Sequence, residues 1–265
     1  MLSKKTMQTL YIFTQFLYRD LYVYTRQLGD HIINYSLIYP LLYIFCFAYL
    51  QTQIYFLGQS TVGTIVFSGT CLVPLMVMAF SLTFDLLFDL EKNHHIDYQL
   101  MVLKPQLIII EQIIFASIFT FAVMIPFFPL ARFFASAYID FSTTSWSSLY
   151  LILYCGSLCI CAYHKLAAIV LTLEKINTFW TRVNHILLML GGFWIPLYTI
   201  QAFSPILGFL LRLNPIMYLT EGLRQSIIGG KHFLPLSHCI IALLIFTIIF
   251  TMLSCYFFKR RVDHI

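Results

Sequence analysis

Charge is scarce in this chain. Only 16 lysines and arginines and 11 aspartates and glutamates occur in 265 residues, so 10% of the chain is charged against 60% hydrophobic. The mean hydropathy is +0.84. A soluble globular domain carries about 25% charged residues, which excludes that class and leaves an integral membrane protein. Other absences narrow the chemistry. There is no G-x4-G-K-S/T phosphate loop, so the chain cannot hydrolyse ATP by that route and a partner has to supply energy. No basic cluster is longer than Lys259-Arg260-Arg261, which closes an apolar run; nucleic acid is not expected as a partner, and the net charge of +5 fits membrane topology better. Linkers rich in Gly, Ser or Pro are missing, and so are internal repeats, so one membrane domain over residues 1–265 is expected. After Lys4-Lys5 the apolar run is interrupted by Gln8, Gln15, Arg19, Asp20 and Arg26, and no cleavable signal is expected. The seven cysteines (Cys46, Cys71, Cys155, Cys159, Cys161, Cys239, Cys255) fall in or beside apolar segments, as small packing residues rather than a disulfide framework.

Long apolar runs are what the chain has in plenty. A span needs about 20 such residues at about 1.5 Å each to cross roughly 30 Å of hydrocarbon. Six stretches qualify, near 32–50, 62–84, 107–130, 149–173, 186–203 and 236–258. An even number puts both termini on one side. With cytoplasmic termini, Lys4, Lys5, Arg19, Arg26, Lys92, Lys104, Lys175, Arg182, Lys259, Arg260 and Arg261 lie inside. Arg132, Arg212, Arg224 and Lys231 lie outside, and Lys165 falls within a span. Eleven against four obeys the rule that inner loops are basic. The first outer loop, 51–61, carries no charge, and Trp146, Trp180 and Trp194 fall near helix ends, as interfacial aromatics do. Before the first span, Leu10, Phe13, Leu17, Leu21, Tyr24 and Leu28 share one helical face opposite Gln8, Gln15, Arg19 and Arg26. That pattern predicts an amphipathic helix over 1–30 lying in the interface. Pro40, Pro74, Pro126 and Pro129 predict kinks or helix ends, and Gly191-Gly192 with Pro196 predict a bend in the fifth span. Segment 204–231 is too long for a bare connector and should carry short helices of its own.

Within it, residues 213–230 read LNPIMYLTEGLRQSIIGG. Asn214 can cap free N–H groups, and Pro215 fits the first helical position, where a missing donor costs nothing. Ile216, Leu219, Leu223 and Ile227 fall on one side, Glu221 and Arg224 are close enough to pair, and Gly229-Gly230 end the segment. The pattern predicts a short, capped, half-apolar helix at the membrane surface or dipping into it. Asn214-Pro215, Tyr218, Glu221-Gly222, Arg224 and Gly229, placed just before a last span, resemble the C-terminal signature of ABC type-2 exporter permeases.

The resemblance gives the largest inner loop, 85–105, a role. In that family the loop after the second span forms a coupling helix seated in a cleft of the ATPase, ending in two aliphatics, two variable residues and proline. Met101-Val102-Leu103-Lys104-Pro105 has that ending, whereas Lys92-Asn93-His94-His95 replaces the usual basic-acidic-Gly-Thr entry. Asp89, Glu91, Lys92, Asp97, Met101 and Pro105 are therefore the expected coupling residues, and Asn214, Pro215, Tyr218, Glu221, Arg224 and Gly229 the expected outer motif. What the resemblance implies is an all-α polytopic protein of six transmembrane helices with an N-terminal interfacial helix and a re-entrant helical element before the last span. It implies a non-catalytic permease that forms half of a homodimeric path in a bacterial inner membrane. ATP and Mg would be bound by a separate ATP-binding-cassette subunit, with no cofactor, metal or catalytic residue in this chain.

Rival readings come from the residues themselves. Asp85, Asp89, Glu91 and Asp97 suggest an intramembrane prenyl or alcohol-phosphate transferase holding Mg²⁺, but no DDxxD or DxxDG pattern occurs. A secondary transporter would need no ATPase. His94-His95 and the set Cys155, Cys159, Cys161, His164 invite a metal, yet Cys161 and His164 point away from the other two on a helix. Glu111 and Lys165 enter spans near their inner ends, where snorkelling to the interface is expected. The 26 Phe and 17 Tyr select no substrate, since lipid-facing packing uses the same residues.

Overall fold

The computed structural model describes residues 4–43, 45–46, 60–93, 95–135, 139–230 and 232–263, and every regular element among them is helical. Four helices are long and apolar enough to cross a membrane: Gly63–Asn93, Pro105–Phe134, Trp146–Val170 and Leu236–Val262. They coincide with four of the six apolar stretches. The other two are not matched by such a helix among the described residues. The first continues into residues outside the described set, as do most of loop 51–61, His94 and Lys231; what is described is a helix over 28–43. The fifth is not one helix, because it stops at Leu190 and resumes at Leu197.

In chain order, α1 is Lys4–Thr25 and α2 covers 28–43. A π-helical stretch of α2, Ile32–Ile38, runs into Pro40, which has no N–H to close a bond to residue 36. α3 covers 60–93, with a turn at Cys71 just ahead of Pro74 and a π-helical end at Asp89–Asn93. Next come α4 (His95–Leu100) and α5 (105–135), which bends at Ile125-Pro126, where the prolines break the ladder. α6 is Trp146–Val170 and α7 covers 173–190. Three short helices follow: α8 (Leu197–Phe203), α9 (Pro205–Leu211) and α10 (Pro215–Ile227). The last element is α11 (Leu236–Asp263).

α6 is the hub, packed against α3, α5, α10 and α11. Its Gly156 lets α10 come close: a Cβ there would lie 2.4 Å from Leu219 Cδ1. Small residues serve this purpose between membrane helices, where close van der Waals packing replaces the hydrophobic effect. α11 is the opposite case. Only 17% of its apolar window is buried, against 61–78% for the other three, so it turns most of its side chains outward.

Contacts define two ends of the bundle. At one, Asp140 donates its amide to Thr64 Oγ1 and Ser145 donates its amide to Ser226 O. At the other, Glu91, residues 168–173 and Arg261 meet. α1 belongs to the second end: its apolar face, Leu17, Leu21 and Tyr24, joins the main core, and Asp20 accepts from Gln112 Nε2 of α5 at 3.1 Å. Leu10, on the same predicted face, is exposed.

Candidate functional site

Two places gather the residues that the sequence singles out. The first is α10. Asn214 caps it, with Oδ1 accepting from the Ile216 amide at 3.0 Å, while Nδ2 donates to Leu187 O at 2.7 Å and ties the cap to α7. Pro215 takes the first helical position, and Tyr218 is half-buried with its ring 6.3 Å from that of Phe246 on α11. Arg224 Nη1 donates to Glu221 Oε1 at 3.3 Å, so the two do pair. Gly229 follows in the left-handed region, φ 71°.

The location corrects the sequence expectation. α10, expected as a half-apolar helix at the membrane surface or dipping into it, is covered by protein on nearly all sides: ten of its 13 residues are buried, with Glu221 1% and Arg224 0% exposed. The cause is the loop over 191–196, whose backbone forms no helix and needs donors and acceptors from elsewhere. α10 supplies them. Thr220 Oγ1 donates to Gly191 O at 2.7 Å, and Arg224 Nη2 donates to Gly192 O and to Phe193 O, the latter at 3.3 Å. Arg224 Nε donates to Ile65 O of α3 at 3.3 Å, and the Leu197 amide donates to Glu221 Oε1 at 3.0 Å. Gly192 sits at φ 76°, and a Cβ on Gly69 would lie 2.1 Å from Phe193 O, so glycine is required at both positions.

The second place is the connection between α3 and α5. Ile96 and Leu103 are buried there, whereas Tyr98, Met101 and Val102 are 71%, 80% and 54% exposed. Asp97 is exposed, Pro105 opens α5, and the exposed Lys92 ammonium lies 5.2 Å above the Phe88 ring. Asp89 accepts from Asn93 Nδ2 at 3.5 Å and lines, with Arg19, Asp20, Tyr24 and Asp85, a cleft of about 620 Å³. Tyr24 donates its hydroxyl to Asp85, and burial together with that carboxylate pushes the phenol well above its ordinary pKa. Glu91 does not line the cleft and pairs with Arg261 at 3.0 Å. Among the described residues, no three His, Cys, Asp or Glu side chains come together as a metal site.

Glu111 and Lys165 also depart from expectation. Neither snorkels: they are 1% and 2% exposed. Lys165 Nζ donates to Leu82 O at 2.9 Å and to Gln112 Oε1 at 3.3 Å, and Gln112 Nε2 donates to Glu111 Oε2 at 3.2 Å. α1, α3, α5 and α6 are thereby joined through side chains spread over the chain. The sequence signals this cluster only through two ionisable residues inside apolar runs. Asn184, which accepts from the Tyr163 hydroxyl at 2.8 Å and contacts His164 Nε2 at 3.1 Å, gives no such signal at all.

A family model described as ABC-2 type transporter matches residues 15–228, which takes in α10 and the α3–α5 connection. No curated protein and no solved structure matches the chain.

Proposed function

Because the chain belongs to the ABC-2 type transporter family, we propose that it is the permease subunit of an ATP-driven exporter, working as a homodimer with a separate ATP-binding-cassette subunit. The family makes it a membrane transport permease; the partner, the dimer and the direction of transport are this proposal's own. The observation that carries the ATPase docking is the tip of the α3–α5 connection. Tyr98, Met101 and Val102 are exposed while Ile96 and Leu103, beside them in sequence, are buried. An apolar patch on a rigidly anchored tip suits insertion into a partner's cleft. Asp97 and Lys92 would flank it and Pro105 would fix the exit into α5, with Asp89 and Glu91 holding the base. Cytoplasmic termini, a bacterial inner membrane and six crossings complete the reading. ATP and Mg belong to the partner.

Loop 191–196 supports a re-entrant segment before the last helix. Irregular backbone at membrane depth is tolerated only where protein satisfies its polar groups, and Thr220, Glu221 and Arg224 do so here. Two short helices, α8 and α9, then lead back to α10. In the dimer, closure of two ATPase subunits on ATP would push the two tips and open the path between protomers. Co-purification of the tagged chain tests this. An ATP-binding-cassette ATPase in equimolar amount is the expected result, and a chain that transports with no ATPase bound would overturn it.

A further inference from the structure

The break between α6 and α7 is only two residues long. Leu171 and Thr172 are both extended, with ψ 166° and 162°, and Thr172 makes no side-chain cap for α7. Each helix end at such a break leaves unsatisfied backbone groups, carbonyls on α6 and N–H groups on α7. One ion pair serves both. Arg261, in the last turn of α11, donates Nη1 to Ala168 O at 3.1 Å, to Ile169 O at 2.9 Å and to Leu171 O at 3.4 Å. Its Nη2 donates to Glu91 Oε1 at 3.0 Å, and the Leu173 amide donates to Glu91 Oε2 at 3.3 Å. The cation therefore sits at the C-terminus of α6 and the anion at the N-terminus of α7, the placement each helix dipole favours. Glu91 lies in the π-helical last turn of α3, where the chain enters the α3–α5 connection. A small core lies behind the pair, with Leu87, Ile96, Ile109, Ile169, Ile176 and Phe258 buried together.

We propose that Glu91 and Arg261 are positioning residues that make three inner segments one mechanical unit: the α3–α5 connection, the α6–α7 break and the end of α11. Movement of the tip is then delivered to α7, and through α7 to the buried loop 191–196, rather than to α3 alone. The inference rests on the permease reading for its consequence but not for its geometry. A guanidinium fork reaches several acceptors at once, and a lysine ammonium is a single point charge. Arg261→Lys should therefore retain less than Arg261 but more than Arg261→Ala.

The test has two arms. In the first, the chain alone is reconstituted in lipid and amide hydrogen exchange is followed over residues 170–176. Glu91→Gln and Arg261→Ala should speed exchange there by roughly tenfold, since a charge-assisted bond to the Leu173 amide is lost or loosened. Arg261→Lys should fall between, and Lys259→Ala, at an exposed neighbour, should match the parent. Equal exchange in parent and Arg261→Ala would overturn the clamp. In the second arm, spin labels replace the exposed Lys104 and Lys175, with the exposed Cys46 changed to Ser, in the complex with the co-purified ATPase. The distance between labels at 104 and 175 should stay fixed on ATP binding in the parent and become nucleotide-dependent in Arg261→Ala. A parental distance that changes with ATP would overturn the single unit. If no ATPase accompanies the chain, the permease reading fails while the first arm still decides the clamp.

Discussion

Arg224 is the side chain on which most depends. It is fully buried in the core and carries a charge, a bidentate link to loop 191–196 and a bond to α3. Removing one partner of a buried pair costs about 3–5 kcal/mol, because the other charge is stranded. Arg224→Ala leaves Glu221 without its cation and removes the guanidinium donor from Gly192 O and Phe193 O, while Ile65 O keeps the Ser68 hydroxyl, so it should lower the midpoint of thermal unfolding far more than Arg212→Ala, at an exposed position. Adding Glu221→Ala to Arg224→Ala removes the stranded carboxylate but not the orphaned carbonyls. The double variant should therefore recover only part of the loss, and full recovery would mean that the carbonyl bonds contribute little. Thermal unfolding of the four proteins in detergent, parent included, reads this out. The pairing of Glu221 with Arg224 was legible in the sequence because three residues make one helical turn. The remaining partners of Arg224 were not: Gly192 and Ile65 lie 32 and 159 residues away, and no local pattern encodes a contact made by folding.

At the scale of elements, legibility followed length and apolar continuity. α3, α5, α6 and α11 stand where the sequence puts them, because a run of about 20 apolar residues has few other solutions. α7 and α8 were harder. Their combined stretch reads as a span, but Gly191, Gly192 and Pro196 interrupt the ladder and the pieces are held by α10 instead. Amphipathic α1 was legible as a pattern, yet its docking through Asp20 and Tyr24 depends on Gln112 and Asp85. The short α4 makes a test of its own. Tyr98→Glu plus Met101→Glu places charge on the exposed tip, so the permease should keep its thermal stability and lose the ATPase. Interface anchors each contribute about 2 kcal/mol or more, and recovery of the ATPase should fall at least tenfold. Leu103→Glu, at a buried position, should destabilise the permease itself. The same ATPase yield from the tip variant and the parent would mean that the partner docks elsewhere.

For the whole molecule, the parity of crossings is the strongest constraint. α3, α6 and α11 run from the end that holds Thr64 and Ser145 to the end that holds Glu91 and Arg261, and α5 runs back. From the end of α6 to the start of α11 the chain has to return, and α7 to α10 are the elements between them among the described residues. α1 docks beside Gln112 at one end and α3 starts at the other, and α2 sets out between them, with Ser36 donating to Val123 O of α5. Two such passages added to the four long helices fit the six crossings of the proposed permease. The basic residues support the proposed sidedness. Lys92, Lys104, Lys175, Lys259 and Arg260 cluster at the Glu91 end, which favours the cytoplasm. Single cysteines at the exposed positions Lys92, Lys259 and Ser142 turn this into a measurement. In intact cells an impermeant maleimide should modify the cysteine at 142, and those at 92 and 259 only after permeabilisation. Labelling at 259 but not at 92 in intact cells would require an odd number of crossings between them and would remove the re-entrant reading of residues 204–231, since the chain would then cross once too often or once too seldom.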